Sequence, residues 1–168
     1  YGGNYEGCLA KFKPNGQRVW GTFVGGSGDD YIHGITCDDS ANVYICGATG
    51  ATGMAYNGWQ STFSGQNAAF VAKYDSTGKR IWYTYLGGPS ASINELNLYA
   101  AQADEKGNVL VGGITSNNFG YAPFTSYGGG MDFFLARFTA NGTLKWCTSM
   151  GGTSSDDLRD VTVDNEGA

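Results

Sequence analysis

The chain has 168 residues, of which 41% are hydrophobic and 15% charged, and its formal net charge is −5 at pH 7. This negative balance, without a basic stripe, argues against nucleic acid and anionic membranes as partners, and no apolar run is long enough to insert into a bilayer as a helix. The 28 glycines, 11 tyrosines and 9 phenylalanines favour a β-rich protein with many turns.

The same motif occurs three times along the chain, at spacings of 62 and 64 residues. Each copy is an apolar run that begins at Cys8, Phe70 or Phe134, continues through a turn to a tryptophan, and ends on Gly-Gly. A fixed period of this size indicates a repeat architecture. The recurring residues that we expect to hold the repeats together are Trp20, Trp82, Trp146, Gly25, Gly26, Gly87, Gly88, Gly151 and Gly152.

Each repeat contains four short apolar runs separated by Asn-Gly, Thr-Gly, Asp-x-x-Gly or Gly-Gly, which is typical of β-hairpins. No stretch has the apolar period of a helix. We expect the turn glycines to take positive φ, and we expect Asp75 and Asp104 to form turns and not to bind a metal. The predicted strands are residues 6–13, 18–24, 31–38, 42–48, 68–75, 80–86, 97–104, 108–114, 132–138, 144–150 and 158–164.

Four antiparallel strands in about 62 residues, repeated, match the blade of a β-propeller. The sequence therefore predicts an all-β propeller segment with fewer than three blades. Residues 1–26 are the second half of one blade, 27–88 and 89–152 are complete blades with the first strand innermost, and 153–168 begin another. Because closed propellers have about four to eight blades, we expect the remaining blades in a larger parent polypeptide.

The repeat resembles the SBBP β-propeller repeat of bacterial secreted and surface proteins. The resemblance is carried by Asp38–Thr49, which reads Asp-x-x-x-Asn-Val-Tyr-x-x-Gly-x-Thr, by Phe70-Val-Ala-Lys-Tyr, and by Trp82-Tyr-Thr-Tyr-Leu-Gly-Gly. It covers nearly the whole chain. It implies an extracellular or cell-surface scaffold or interaction module without catalytic activity, exported by the type IX system where the source is of the Bacteroidetes kind. Its implied partners are other surface or secretion proteins, or glycans.

The segment from Ala72 to Trp82 is also similar to the tryptophan-docking segment of quinoprotein propellers, which carry Ala, then Thr-Gly-Lys, then Trp. That resemblance implies an enzyme that uses pyrroloquinoline quinone to oxidise alcohols or sugars. The other two copies read Asn15-Gly16-Gln17 and Asn141-Gly142-Thr143, so they lack the Thr-Gly-Lys core. We therefore favour the scaffold, without a cofactor, over the enzyme.

No catalytic constellation can be assembled from the sequence. His33 is the only histidine and falls in a predicted strand, where we expect a packed, hydrogen-bonded side chain. No Gly-x-Ser-x-Gly nucleophile motif accompanies it. Lys11, Lys73 and Arg137 recur at one register of the repeat, and we expect their stems to cover apolar sheet while the charge reaches a carbonyl or carboxylate at the rim.

The four cysteines lack the spacing of a zinc site and are expected to be buried free thiols. They are Cys8, Cys37, Cys46 and Cys147. If Cys37 lies opposite Tyr44 in a hairpin, then Cys46 lies opposite Ile35, and the two sulfurs are too far apart for a disulfide.

The long connections at 50–67 and 117–131 are predicted to emerge on one face together with the turns between blades. Aromatic rings with carboxylates can bind a sugar, so this face is a candidate glycan site. The alternative, which we favour, is that the rings only hold the loops on the blade. The candidate residues are Tyr56, Trp59, Phe63, Phe119, Tyr121, Asp29, Asp30, Asp156 and Asp157.

Overall fold

The computed structural model describes residues 2–63, 65–87, 96–116 and 129–164. These residues form ten β-strands and no helix, so none of the described segments provides a helix that could span a bilayer. The strands are β1 (Gly7–Phe12), β2 (Arg18–Val24), β3 (Asp30–Cys37), β4 (Val43–Thr49), β5 (Ala68–Tyr74), β6 (Arg80–Leu86), β7 (Leu96–Ala103), β8 (Val109–Thr115), β9 (Asp132–Phe138) and β10 (Leu144–Met150).

The strands form three antiparallel sheets in which neighbours in sequence are neighbours in space. The first sheet contains β1 and β2, the second has the order β3-β4-β5-β6, and the third has the order β7-β8-β9-β10. The predicted all-β fold, with four-stranded antiparallel sheets of the β-propeller type, is confirmed. The described residues do not close a ring.

The sheets are stacked face to face, and this determines which strands are buried. Strands β4, β5 and β8 are buried along their whole length, because the second sheet lies between the first and the third and the 158–164 segment covers the other face of β8. The first strands β3 and β7 alternate in burial and contact each other at one edge of the stack. This arrangement agrees with the predicted innermost position of the first strand in each sheet.

Two apolar layers hold the three sheets together. The layer between the first and second sheets contains Leu9, Val24, Ile45, Phe70 and Tyr83. The layer between the second and third sheets is built around Trp82 and includes Tyr44, Val71, Val111, Phe134 and Phe138. Each layer therefore joins residues from different repeats, as expected for repeats that cannot bury an apolar face alone.

The predicted strand at 158–164 is wrong, because those residues form no strand. The first strands β3 and β7 pair only with the strand that follows them, β4 and β8. No such following strand exists among the described residues for the 158–164 segment. It nevertheless covers the third sheet, since a Cβ atom at Gly112 in β8 would lie 2.6 Å from a methyl carbon of Val161.

The cysteine predictions are partly wrong. All four thiols are free, as predicted, but only Cys46 and Cys147 are buried, whereas Cys8 and Cys37 are exposed. Cys8 is exposed because it lies on the face of the first sheet that no described residue covers. The hairpin register also differs by one residue from the predicted one, since Cys37 faces Val43 and Cys46 faces Gly34, and a bulge at His33 shifts the register again only beyond Gly34.

Turn glycines take the positive φ that the sequence predicts, and two of them carry a tryptophan ring from the neighbouring sheet. The Trp20 indole N–H of the first sheet donates to the Ser76 carbonyl of the second, at 3.0 Å. The Trp82 indole N–H donates to the Ala140 carbonyl of the third sheet, at 2.9 Å. The rings lie on Gly78 and Gly142, whose φ angles are +86° and +78°. We call this arrangement the tryptophan–turn contact.

Gly142→Ala should cost more stability than Gly16→Ala, although both glycines sit in hairpin turns at positive φ. A Cβ atom at Gly142 would lie 2.7 Å from the buried Trp82 ring, whereas a Cβ atom at Gly16 would meet nothing within 4 Å. We expect Gly142→Ala to lower the free energy of unfolding by roughly 1–3 kcal/mol more than Gly16→Ala. Urea unfolding of both variants measures the difference, and equal losses would contradict the contact.

Candidate functional site

The connection between β4 and β5 packs onto β6, the last strand of the second sheet. Tyr56 and Tyr83 exchange two backbone hydrogen bonds, at 3.0 and 2.8 Å, in an isolated β-bridge. The ring of Phe63 packs edge-on against Tyr85 at 4.8 Å between centroids, and Arg80 lies 5.5 Å from the Tyr56 ring. The predicted aromatic residues of this loop are therefore positioned mainly to hold the loop on the sheet.

Some aromatic surface of this loop remains accessible. Tyr56 is 48% exposed and Trp59 37% exposed, whereas Phe63 is only partly exposed. The candidate residues Phe119 and Tyr121 lie outside the described residues, as does Gly88 of the recurring framework.

The four acidic residues of the candidate glycan site differ in their burial and in their hydrogen-bond partners. The Asp30 carboxylate is buried, accepts a hydrogen bond from the Gly26 N–H at 2.9 Å and is also bonded to the Thr49 hydroxyl. Asp156 accepts a bond from the Gly152 N–H at 2.6 Å in the same way. These two carboxylates thus hold the Gly-Gly turns. Asp157 lies at the surface in an ion pair with Arg159, at 2.6 Å.

Asp29 is the candidate carboxylate that lines a pocket. This pocket, which we call the polar pocket, has a volume of about 440 Å³. Its lining residues are Gly2, Gly3, Asn4, Gly28, Asp29, Gly50, Gln66 and Asn67. Asp29 accepts a hydrogen bond from the Asn4 N–H at 3.2 Å, and its own carbonyl accepts one from the Gly50 N–H at 2.9 Å. Asp29 therefore lies in the pocket lining with three residues that carry amide side chains, Asn4, Gln66 and Asn67.

All three recurring cations reach a carboxylate or a carbonyl, as predicted. Lys73 Nζ lies 3.7 Å from Asp38, and Arg137 lies 2.5 Å from Asp104, with all four side chains largely buried. Lys11 has no carboxylate partner among the described residues, and its Nζ lies 3.4 Å from the Ser76 carbonyl at the rim.

Two turn aspartates of these ion pairs are held in the ionised form. Burial opposes ionisation of Asp38 and Asp104, but hydrogen bonds from Asn42 and Asn108, together with the nearby cations, outweigh it and lower both pKa values below the ordinary range. Asp75 also accepts bonds from Thr77 and Lys79. The prediction that Asp75 and Asp104 form turns is confirmed.

Tyr44 occupies the centre of the cluster between the second and third sheets. Its hydroxyl lies 3.0 Å from Asp38 Oδ2 and 2.7 Å from the Gly107 carbonyl, and its ring lies 4.8 Å below Lys73 Nζ. Trp82 contacts the ring edge-on at 6.2 Å between centroids. Burial, with the Asp38 hydrogen bond, raises the pKa of Tyr44, so the neutral phenol is held. We call these surroundings the Tyr44 seat.

An open cleft lies between the first and second sheets, at the position that corresponds to the Tyr44 seat. It has a volume of about 390 Å³, and we call it the β1 cleft. Its lining residues are Leu9, Ala10, Lys11, Phe12, Trp20, Ile35, Cys37, Asp38, Asp39, Ala41 and Val43. Sequence reasoning missed this cleft, because it depends on which face of β1 is covered. One sequence signal could have indicated it: Lys11 occupies the same repeat position as Lys73 and Arg137, and each of those two forms an ion pair with an aspartate.

His33 is hydrogen-bonded, as predicted, although its ring is exposed. Its Nδ1 lies 3.1 Å from the Leu98 carbonyl, and the ring lies between Tyr31 and Tyr99, at 6.1 and 5.5 Å between centroids. Within the ranges that the structure describes, no three His, Cys, Asp or Glu side chains converge as metal ligands.

The segment similar to quinoprotein propellers has a structural use here. The Thr77 N–H and hydroxyl both bond to Asp75, at 2.8 and 2.6 Å, and Gly78 lies under the Trp20 ring. These groups form the turn and the contact between sheets. A quinone site does not follow from them.

Comparison with known proteins gives one distant similarity. No family model matches the chain. The chain is 26% identical over 182 residues to an uncharacterized WD repeat-containing protein of Acanthamoeba polyphaga mimivirus. The match covers 88% of this chain and 13% of the length of that relative. This similarity suggests a propeller-like repeat, in agreement with the sheets described above.

Asp104→Asn should destabilise the protein strongly, because it leaves the Arg137 guanidinium buried without its charge partner. We expect a loss of roughly 3–5 kcal/mol in the free energy of unfolding at neutral pH. Glu105→Gln changes the exposed neighbour in the same turn and should have little effect. Urea unfolding measures both, and similar losses would contradict the importance of the buried pair.

Stability should also fall with acid. The folded pKa values of Asp38 and Asp104 are lowered, so their contribution is complete above the unfolded value of about 3.9 and disappears as pH falls through the folded values. Unfolding measured along an acid series should show this loss. The loss should be smaller in Asp104→Asn, and an unchanged acid dependence in that variant would contradict the assignment.

Proposed function

We propose that the chain is part of a non-catalytic β-propeller scaffold that serves as a protein interaction module. The observation that carries this proposal is the tryptophan–turn contact, which is formed once between the first and second sheets and again between the second and third. The recurring residues Trp20 and Trp82 are thus used between sheets. What differs between repeats lies in the connections at the rim, where recognition is usually found in repeat proteins.

The geometry of the connecting loops supports this separation between residues that hold the sheets together and loops that recognise a partner. The turn that precedes β3 lies beside the long connection that follows β4, because the Gly50 N–H donates to the Asp29 carbonyl. A rigid stack of sheets can hold such loops in fixed positions for a partner. We propose the other blades of a parent polypeptide as the first partners, with residues 1–26, 27–88, 89–152 and 153–168 as successive parts of one propeller.

The SBBP resemblance supports a more specific version of the proposal, in which the parent is secreted or displayed on a bacterial surface and exported by the type IX system. The parent reading frame tests this version. A signal peptide together with a C-terminal sorting domain is the expected result, and a reading frame that encodes neither would overturn it.

Glycan binding at the rim is a second candidate function, and the polar pocket favours it. Asp29, Asn4, Gln66 and Asn67 place a carboxylate and three amides around one concave site, and such groups accept and donate hydrogen bonds to sugar hydroxyls. The partly exposed rings of Tyr56 and Trp59 belong to the connection that also supplies Gln66 and Asn67.

Trp82→Phe should destabilise the chain, because it removes the indole N–H that bonds to the Ala140 carbonyl and leaves that carbonyl unpaired. We expect the free energy of unfolding to fall by roughly 1–3 kcal/mol. Trp59→Phe, on the partly exposed loop, is the matched control and should fall within about 0.5 kcal/mol of the wild type. Equal effects in urea unfolding would contradict the scaffold role of the recurring tryptophans.

Asp29→Asn with Gln66→Ala should abolish glycan binding at the polar pocket without lowering the melting temperature, since neither side chain is buried. A screen of neutral and acidic glycans with the wild type and this double variant is the measurement. Binding that survives the double variant, or that is lost only when Trp59→Ala lowers the melting temperature, would contradict a glycan site in the polar pocket.

A further inference from the structure

We propose that the β1 cleft receives an additional β-strand of the Asp-x-x-x-Asn-Val-Tyr type, which pairs with the free edge of β1 and places its tyrosine beside Lys11 and Trp20. The inference rests on the proposed scaffold function and deepens it, because it names the kind of segment that the scaffold binds and the residues that select it.

The free edge of β1 provides the backbone for pairing. Strand β5 pairs with β4 on one edge and β6 on the other, and β9 pairs with β8 and β10. Strand β1 is the corresponding strand of the first sheet, but among the described residues it pairs only with β2. An exposed strand edge is a template for β-augmentation, in which backbone hydrogen bonds supply affinity and side-chain pockets supply specificity.

The interface between the second and third sheets shows what fills the equivalent of the β1 cleft. There the neighbour of β5 is β4, and β4 places Tyr44 under Lys73 and against Trp82. In the first sheet, Lys11 and Trp20 stand at the repeat positions of Lys73 and Trp82, and both line the β1 cleft.

The residues at the bottom of the β1 cleft also have repeat equivalents, and these surround Tyr44. Leu9, Cys37 and Val43 line the cleft, and their repeat equivalents, Val71, Ala103 and Val109, share an apolar cluster with Tyr44. The carbonyl that accepts the Tyr44 hydroxyl belongs to Gly107, whose equivalent in the cleft is Ala41. The two residues share the left-handed backbone, with φ angles of +76° and +58°. A tyrosine in the cleft thus has an equivalent carbonyl to bond.

The positive charge of Lys11 also restricts which strand can bind in the β1 cleft. In each of the two four-stranded sheets, the recurring cation meets an aspartate at the start of the turn between the first two strands, as Lys73 meets Asp38 and Arg137 meets Asp104. Lys11 has only the Ser76 carbonyl within reach among the described residues. A strand that brings an aspartate to Lys11 completes the cluster, and an apolar strand without one does not.

The test uses the full chain and a synthetic peptide with the sequence of residues 30–49, in which Cys37 and Cys46 are replaced by Ala. Cys37 of the protein is exposed and lines the cleft, whereas Cys8 is exposed on β1 outside it. Alkylation with iodoacetamide, followed by mass spectrometry, reports both sites in one sample. We expect the peptide to slow alkylation of Cys37 at least about tenfold at saturation while Cys8 stays reactive.

Matched variants identify the determinants. Peptides that carry Tyr44→Ala or Asp38→Asn should bind about tenfold more weakly, as should the protein variant Lys11→Met. Lys13→Met is the control, because Lys13 carries the same charge on the same hairpin but bonds to Gln17 at the surface. Protection of Cys37 that does not respond to Tyr44→Ala or Lys11→Met would overturn the proposal.

A second format covers the case in which the free peptide does not form a hairpin. The same segment is joined to the N-terminus through a flexible Gly-Ser linker, which raises its effective concentration to about the millimolar range. An unprotected Cys37 in both formats, with the protein folded, overturns the proposed strand site. That result leaves the scaffold proposal intact if Trp82→Phe is still destabilising, whereas insensitivity to Trp82→Phe would overturn the scaffold proposal separately.

Discussion

The stack of sheets depends on the contact between a tryptophan ring and the glycine turn of the next sheet. The contact needs three features at once: an indole N–H, a turn carbonyl that accepts it, and a residue without a Cβ atom at positive φ beneath the ring. Trp82 with Ala140 and Gly142 meets all three, and Trp20 with Ser76 and Gly78 repeats the arrangement. The period of the sequence is therefore the period of this contact, because each repeat supplies a ring to the next sheet and a turn to the previous one.

The polar cluster beside the Trp82 contact makes that interface specific. A buried cation is costly unless a carboxylate pairs with it, and the Asp-x-x-x-Asn turn provides that carboxylate already ionised by its own hydrogen bonds. Tyr44 links this turn to the Gly107 carbonyl of the next sheet. The apolar layers drive stacking, the ion pairs join strands within one sheet, and the Tyr44 bond to Gly107 fixes how the second and third sheets meet. Lys11, which meets no carboxylate among the described residues, is the charge that our proposed further strand would pair with.

The sequence was sufficient to predict the fold, because period, turn residues and strand patterns all indicate the same hairpins. Ten strands lie within about one residue of their predicted bounds. The failures arise where pairing decides the structure. Residues 158–164 have strand-forming composition but no partner strand among the described residues, and Cys37 is exposed because the cleft beside it is open. The rim was only partly predictable: Asp30 and Asp156 were expected near a ligand, yet they bond to turn glycines that sequence spacing alone does not place beside them.

The ring of Trp82 and the turn at Gly142 should act as one unit, and a double-mutant cycle measures their coupling. Urea unfolding of the wild type, Trp82→Ala, Gly142→Ala and the double variant gives their coupling energy. Ala removes the ring atoms that a Cβ atom at Gly142 would meet, so Gly142→Ala should cost in the Trp82→Ala background only about what the unhindered turn change costs, a coupling of at least roughly 1 kcal/mol. Purely additive effects of the two substitutions would contradict the claim.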